Sequence, residues 1–125
     1  MILNDDDGLE KIGKWAFSGC ALVHVDIPPS VKVIKNYAFH FCSGLTTAIF
    51  NNGLEVIKEQ AFHGCALVRI DIPHSVKVIR GGAFAGCSGL RIEILNNGLE
   101  EIGGRVFKGC PLMRRPSKIA RIRQL

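Results

Sequence analysis

Long apolar runs are missing from this 125-residue chain. Hydrophobic residues make up 47% of it, yet they come in short groups, and none approaches the roughly 18 consecutive apolar residues that a membrane-spanning helix needs. The opening "MILNDDDGLEKIG" has no basic stretch leading into an apolar block and does not read as a secretory signal. No Asn-x-Ser/Thr acceptor occurs, and no Cys-x-x-Cys pair. Five cysteines leave at least one without a partner in the chain, which favours a reducing, cytoplasmic compartment, with the cell surface open if the chain is a fragment.

Excess charge is also missing from most of the molecule. The formal net charge is +5, but Arg114, Arg115, Lys118, Arg121 and Arg123 account for all of it, leaving 11 basic and 11 acidic residues over 1–113. A basic face for polyanions would spread its cations over the body. Nucleic acid or membrane binding is therefore expected only of the tail, Arg114 to Arg123.

What the sequence does have is repetition. Phe17, Phe39, Phe62, Phe84 and Phe107 are spaced by 22, 23, 22 and 23 residues, and Cys20, Cys42, Cys65, Cys87 and Cys110 keep the same intervals, as do Ile12, Ile34, Ile57, Ile79 and Ile102. Three residue types locked to one period mark a repeat architecture. The alternation has a simple origin: units reading "C-A-L" are one residue shorter than those reading "C-S-G-L". A period of 45 lies above it, because "IPPSVKVI" at 27–34 matches "IPHSVKVI" at 72–79, and "FNNGLEVI" at 50–57 matches "LNNGLEEI" at 95–102.

Within a unit, "LVRIDIP" at 67–73 alternates apolar and polar residues and ends at a proline that cannot donate to a ladder, so it reads as a strand. "SVKVI" reads as a second, shorter strand, and "EQAFHGC" as about one turn of helix closed by glycine. A unit this short cannot bury its own apolar side and is stable only when stacked on its neighbours. Stacking predicts an aromatic spine of the five phenylalanines, with isoleucine and leucine spines beside it, at the roughly 4.8 Å interval of parallel strands. It also predicts that Glu10, Lys32, Glu55, Lys77 and Glu100 alternate in sign from rung to rung, a favourable cross-strand arrangement.

The unit L-x-x-I-x-I-P-x-S-V-x-x-I-x-x-x-A-F-x-G-C resembles the BspA-like leucine-rich repeat over roughly residues 3 to 113, with five copies of the Ala-Phe-to-Cys segment. The resemblance implies an α/β fold: a right-handed leucine-rich repeat solenoid of about five rungs, with a parallel sheet on the concave side and short strands and single helical turns elsewhere. It also implies a role in binding other proteins, cell-surface adhesins included, rather than catalysis. Three departures stand out. Val106 replaces the usual alanine, Glu93 falls where Val25, Ala48 and Ile70 point inward, and the pattern breaks after Leu112 at Arg115 and Pro116. Either the carboxylate of Glu93 turns toward the core, or a local slip turns Ile92 and Ile94 inward. The solenoid is thus expected over 1–113, with 114–125 as a basic tail that caps its open end or stays unfolded.

No cofactor, metal or catalytic group is expected. Cysteines one unit apart line up rather than converge on a tetrahedron, so they read as buried, reduced thiols. His40 and His63 occupy a position that elsewhere carries Ser18, Ala85 and Lys108, which reads as solvated. The residues expected to point outward from the concave strands are His24 and Asp26, Thr47 and Ile49, Arg69 and Asp71, and Ile92 and Ile94. They vary between copies while the core does not, as expected where binding sets the residue. The functional expectation is a non-catalytic module that binds a protein partner through that face, with no small-molecule substrate. The alternatives are a structural spacer of a larger surface protein, or a basic-tail binder of anionic membrane or nucleic acid.

Overall fold

The computed structural model describes residues 9–112 and the backbone of 123–124. Ten short strands follow one another: β1 Lys11–Ile12, β2 His24–Asp26, β3 Val33–Ile34, β4 Thr47–Ile49, β5 Val56–Ile57, β6 Arg69–Asp71, β7 Val78–Ile79, β8 Ile92–Ile94, β9 Glu101–Ile102 and β10 Arg123–Gln124. The two-residue strands form one parallel sheet in the order β1-β3-β5-β7-β9-β10, so four turns of a coil separate β1 from β9. The three-residue strands pair in parallel as β2-β4 and β6-β8. The chain is a parallel-sheet solenoid.

Stacking places equivalent residues over one another, as the period requires. Phe17, Phe39, Phe62, Phe84 and Phe107 lie in one column, with successive ring centroids 5.2, 5.0, 5.4 and 6.1 Å apart and planes within 14° of parallel. Phe39, Phe62 and Phe84 are fully buried, while Phe17 and Phe107 at the two ends are partly so. Phe50 packs edge-on against Phe62 at 5.5 Å. Buried columns of Ile12, Ile34, Ile57, Ile79 and Ile102, and of Leu45, Leu67 and Leu90, complete the core.

The "A-F-x-G-C" segments differ from expectation: among the described residues no helix forms. Each segment is a chain of tight turns. Along 15–20, the N–H groups of Ala16, Ser18 and Cys20 bond three residues back, to Gly13, Trp15 and Phe17, while those of Trp15, Phe17 and Gly19 donate to Asn36, Ala38 and His40 on the next rung. Alternate amides thus serve the turn and the neighbour, which an α-helix cannot do because it spends each N–H on its own axis. Positive φ recurs at the third position of such turns: 62° at Trp15 and 71° at Gly19, and again at Tyr37 and Phe41, Gln60 and Gly64, Gly82 and Gly86, Arg105 and Gly109. The "helical" stretch is a turn ribbon that runs the length of the solenoid, and its helix content, hence the α/β label, is not realised among the described residues.

The 45-residue period has a structural cause at the corners. Asn51 Nδ2 donates to Ile27 O, and Asn96 Nδ2 donates to Ile72 O at 2.8 Å, so each Asn-Gly corner reaches back to the proline corner before it. Gly53 N donates to Ser75 Oγ at 3.0 Å on the proline corner after it. The expected charge column is in place on the backbone, since Glu55 N bonds Lys32 O and Lys77 N bonds Glu55 O. Its side chains are exposed, and the ion pair found among the described residues is Arg69 with Asp71 instead. Exposed Lys–Glu pairs reaching from one rung to the next gain too little to hold two long side chains in one geometry.

The tail expected to cap the solenoid lies outside the described residues except for β10. There Arg123 and Gln124 run as a strand alongside Glu101 and Ile102.

Candidate functional site

The expected outward residues sit on β2, β4, β6 and β8. In β2, β4 and β6 the middle residue, Val25, Ala48 or Ile70, is buried; of the expected outward residues, Thr47, Ile49, Arg69, Asp71 and Ile94 are exposed and His24, Asp26 and Ile92 half-buried. Period-two alternation on a strand with one packed face produces this pattern. The pairing registers His24 over Thr47 and Asp26 over Ile49 in one sheet, and Arg69 over Ile92 and Asp71 over Ile94 in the other.

Glu93 takes the inward register opposite Ile70, so no slip occurs. It is half-buried and not without a partner, which meets the requirement a carboxylate at a core-facing position imposes.

Hydrogen bonds organise the polar members. Arg69 Nε and Nη2 donate to the two carboxylate oxygens of Asp71 at 3.0 and 3.3 Å, and Asn51 Nδ2 lies 3.4 Å from Asp26 Oδ1. Strand pairing lapses between β4 and β6, and a cleft of about 460 Å³ opens there, with Thr47, Ile49 and Phe50 on one side and Val68, Arg69 and Asp71 on the other. Ile49 and Ile94 expose 42% and 40% of their surface. Apolar anchors beside a charged pair form the mixture that protein interfaces use.

The thiols are held by the fold. Cys42, Cys65, Cys87 and Cys110 donate through Sγ to the carbonyls of Phe17, Phe39, Phe62 and Phe84, one rung back, at 2.9 to 3.2 Å. All five cysteines are free. Burial pushes the Cys65 thiol up to about 12, with the Cys42 thiol adding to it, and burial also raises Cys42. Contact with Cys110 and burial raise Cys87, and the same contact draws Cys110 down. Cys42, Cys65 and Cys87, whose thiols are held neutral, are poor nucleophiles. Among the described residues no group of three or more metal-ligating side chains forms.

His40 and His63 are not the solvated residues their variable position suggested. His40 is half-buried, with its ring centroid 4.1 Å from Phe41, 5.1 Å from His63 and edge-on to Trp15 and Tyr37. Burial, and then the His63 charge, lower its pKa. Trp15 stacks on Tyr37 with centroids 4.2 Å apart, and Trp15 and Phe41 are each more than half exposed. Sequence reading missed this surface aromatic cluster. Its signal was present, because Trp15 and Tyr37 share one repeat position and Phe41 stands where other copies have glycine.

Residues 9–124 match the family model described as BspA type leucine rich repeat region, in six copies, which carries the repeat past Leu112 into the tail. Among solved structures, the pneumococcal vaccine antigen PcpA is similar at 26% identity and a TM-score of 0.72, over 82% of this chain and 28% of that one. A Treponema (T.) pallidum leucine rich repeat protein is similar at 31% identity and a TM-score of 0.69, over 84% of this chain and 58% of its own. A leucine rich cell surface protein of Faecalibacterium prausnitzii A2-165 gives 25% identity and a TM-score of 0.57, over 83% of this chain and 35% of that one. This chain therefore spans less than two thirds of each of these neighbours. No curated protein matches it.

Proposed function

This chain belongs to the BspA-type leucine-rich repeat family, and on that footing we propose that it is a non-catalytic interaction module. It grips a protein partner with the face that carries His24, Asp26, Thr47, Ile49, Arg69, Asp71, Ile92 and Ile94, the face read from the sequence as concave. One observation carries the reading. The buried phenylalanine, isoleucine and leucine columns keep their residue type from rung to rung, while the outward columns of the three-residue strands change between histidine, threonine, arginine and isoleucine, and between aspartate and isoleucine. Packing sets the first group and leaves the second free for recognition.

We place this activity at a cell surface, the setting named for the Faecalibacterium neighbour. The odd cysteine count does not oppose that setting. Cys42, Cys65 and Cys87 are buried and bonded to carbonyls, so their reduced state follows from the fold rather than from a reducing compartment.

The test is a double exchange, Arg69→Asp with Asp71→Arg. It can keep the pair bonded to itself while inverting its polarity, so folding should be unaffected. Partners captured from native extract and identified by mass spectrometry should be lost with this variant and kept by a chain lacking 114–125. Capture that survives the exchange and disappears with the tail overturns the proposal.

A further inference from the structure

The neutral balance of residues 1–113 conceals a separation of charge that only the fold displays. The five ribbon segments, 13–20, 35–42, 58–65, 80–87 and 103–110, hold Lys14, Lys35, Lys58, Arg80, Arg105 and Lys108 but a single carboxylate, Glu59. The other 5 cations and 10 carboxylates of the body lie elsewhere. None of the six cations is buried, and none forms an ion pair among the described residues. Glu59 is engaged by Asn36 Nδ2 at 3.3 Å.

Three of the six cations are in line. Lys58 N bonds Ile34 O, and Arg80 N bonds Ile57 O, so Lys35, Lys58 and Arg80 occupy one position on three successive rungs. The rung interval is the 5.0 to 5.4 Å of the phenylalanine spine. Beyond Arg80 the ribbon opens into a groove of about 570 Å³, floored by glycines that include Gly82 and Gly86. Gln60 and His63 border it on one side, and the exposed Arg105 and Lys108 on the other. A Cβ at Gly86 would lie 3.4 Å from His63 Nε2, so side chains on that floor would fill the groove.

We propose that the turn ribbon is a second binding surface, for a linear anionic polysaccharide lying along the solenoid axis. A single file of cations one rung apart matches a single extended chain with charged groups on successive sugars. It does not match the broad phosphate surface of a duplex. Single-stranded nucleic acid is the poorer occupant, because that recognition stacks successive bases on aromatic faces and the groove beside Arg105 and Lys108 is floored by glycines. Trp15 and Tyr37 are already face to face, and Gln60 of the next rung reaches the Tyr37 hydroxyl at 3.5 Å. Tyr37 is left to present its rim, the electropositive part of an aromatic ring, which suits sulfate or carboxylate oxygens.

The experiment uses the full chain and immobilised heparin, with desulfated heparin, neutral dextran and oligo-dT as competitors. The native protein should bind heparin at physiological salt, weaken steeply as salt rises, and be displaced by anionic but not by neutral polysaccharide. The double variant Arg105→Glu, Lys108→Glu should bind about tenfold more weakly with an unchanged melting temperature, since both side chains are exposed. A variant with serine at Arg114, Arg115, Lys118, Arg121 and Arg123 should keep the ribbon-dependent part of binding. The Arg69→Asp, Asp71→Arg exchange should leave heparin binding intact, so the two proposed surfaces fail independently. Absence of heparin binding, full binding by the Arg105/Lys108 variant, loss through the tail substitutions alone, or tighter binding of oligo-dT each overturns the proposal.

Discussion

Removing one ring from the middle of the aromatic spine should cost more than removing one from its end, by an amount the geometry fixes. Phe62 is fully buried and stacks on Phe39 at 5.0 Å and on Phe84 at 5.4 Å, with Phe50 edge-on at 5.5 Å. Burial of the ring contributes about 1.5 to 3 kcal/mol, and each aromatic contact adds about 0.5 to 1.5 kcal/mol beyond area. Phe62→Ala should therefore destabilise by about 3 to 5 kcal/mol, the usual range for a phenylalanine deleted from a core. That is a large part of the 5 to 15 kcal/mol a domain typically holds. Phe17 is only partly buried and has one stacking neighbour, Phe39, so Phe17→Ala should cost about 1 to 2 kcal/mol. Urea titration followed by circular dichroism measures both, and the slope of each transition shows whether unfolding stays cooperative. Equal costs for the two variants, or a Phe62→Ala cost below about 1 kcal/mol, would refute the spine as the principal source of stability.

Alkaline pH should destabilise the protein through its thiols. The Cys65 value is raised from 9.0 to about 12 in the folded state, so the neutral thiol's contribution is complete below about 9 and drains away as pH climbs toward 12. Each pH unit in that window should remove up to about 1.4 kcal/mol, and Cys65→Ala should flatten the decline in chemical denaturation series at fixed pH. Gly53→Ala drives a Cβ into the Pro29 carbonyl oxygen at a φ of +127°, whereas Gly13→Ala meets nothing within 4 Å among the described residues. The first should lower stability by at least about 1 to 3 kcal/mol from backbone strain and the second should be near neutral, as read from denaturation midpoints.

The spine, the short strands and the outward columns were legible because each is written as a residue type at a fixed interval, and stacking turns interval into contact. The ribbon was not. Ala-Phe runs ending in glycine carry the signature of a helical turn, and what forbids the helix is positive φ at Trp15, Tyr37, Gln60 and Arg105, residue types that give no local warning of it. Inter-rung amide bonds impose that geometry, and they exist only once the neighbour is in place. The exposed aromatic cluster escaped for a related reason. Trp15 and His40 belong to different rungs and different repeat positions, and meet only across the ribbon. Charge behaved similarly: the column from Glu10 to Glu100 was traced correctly, but adjacency on the backbone did not become ion pairing in the side chains.

The corner bonds bear on how such an array can lengthen. Asn51 completes the coil that contains Ile27, and Asn96 the coil that contains Ile72, so the two corner types are complementary halves of one seam. Duplicating a lone coil would set like against like, leaving either an asparagine amide or a proline-corner carbonyl without its complement. Growth by doublets avoids that mismatch, and the gene would be expected to gain or lose this stretch in steps of two coils.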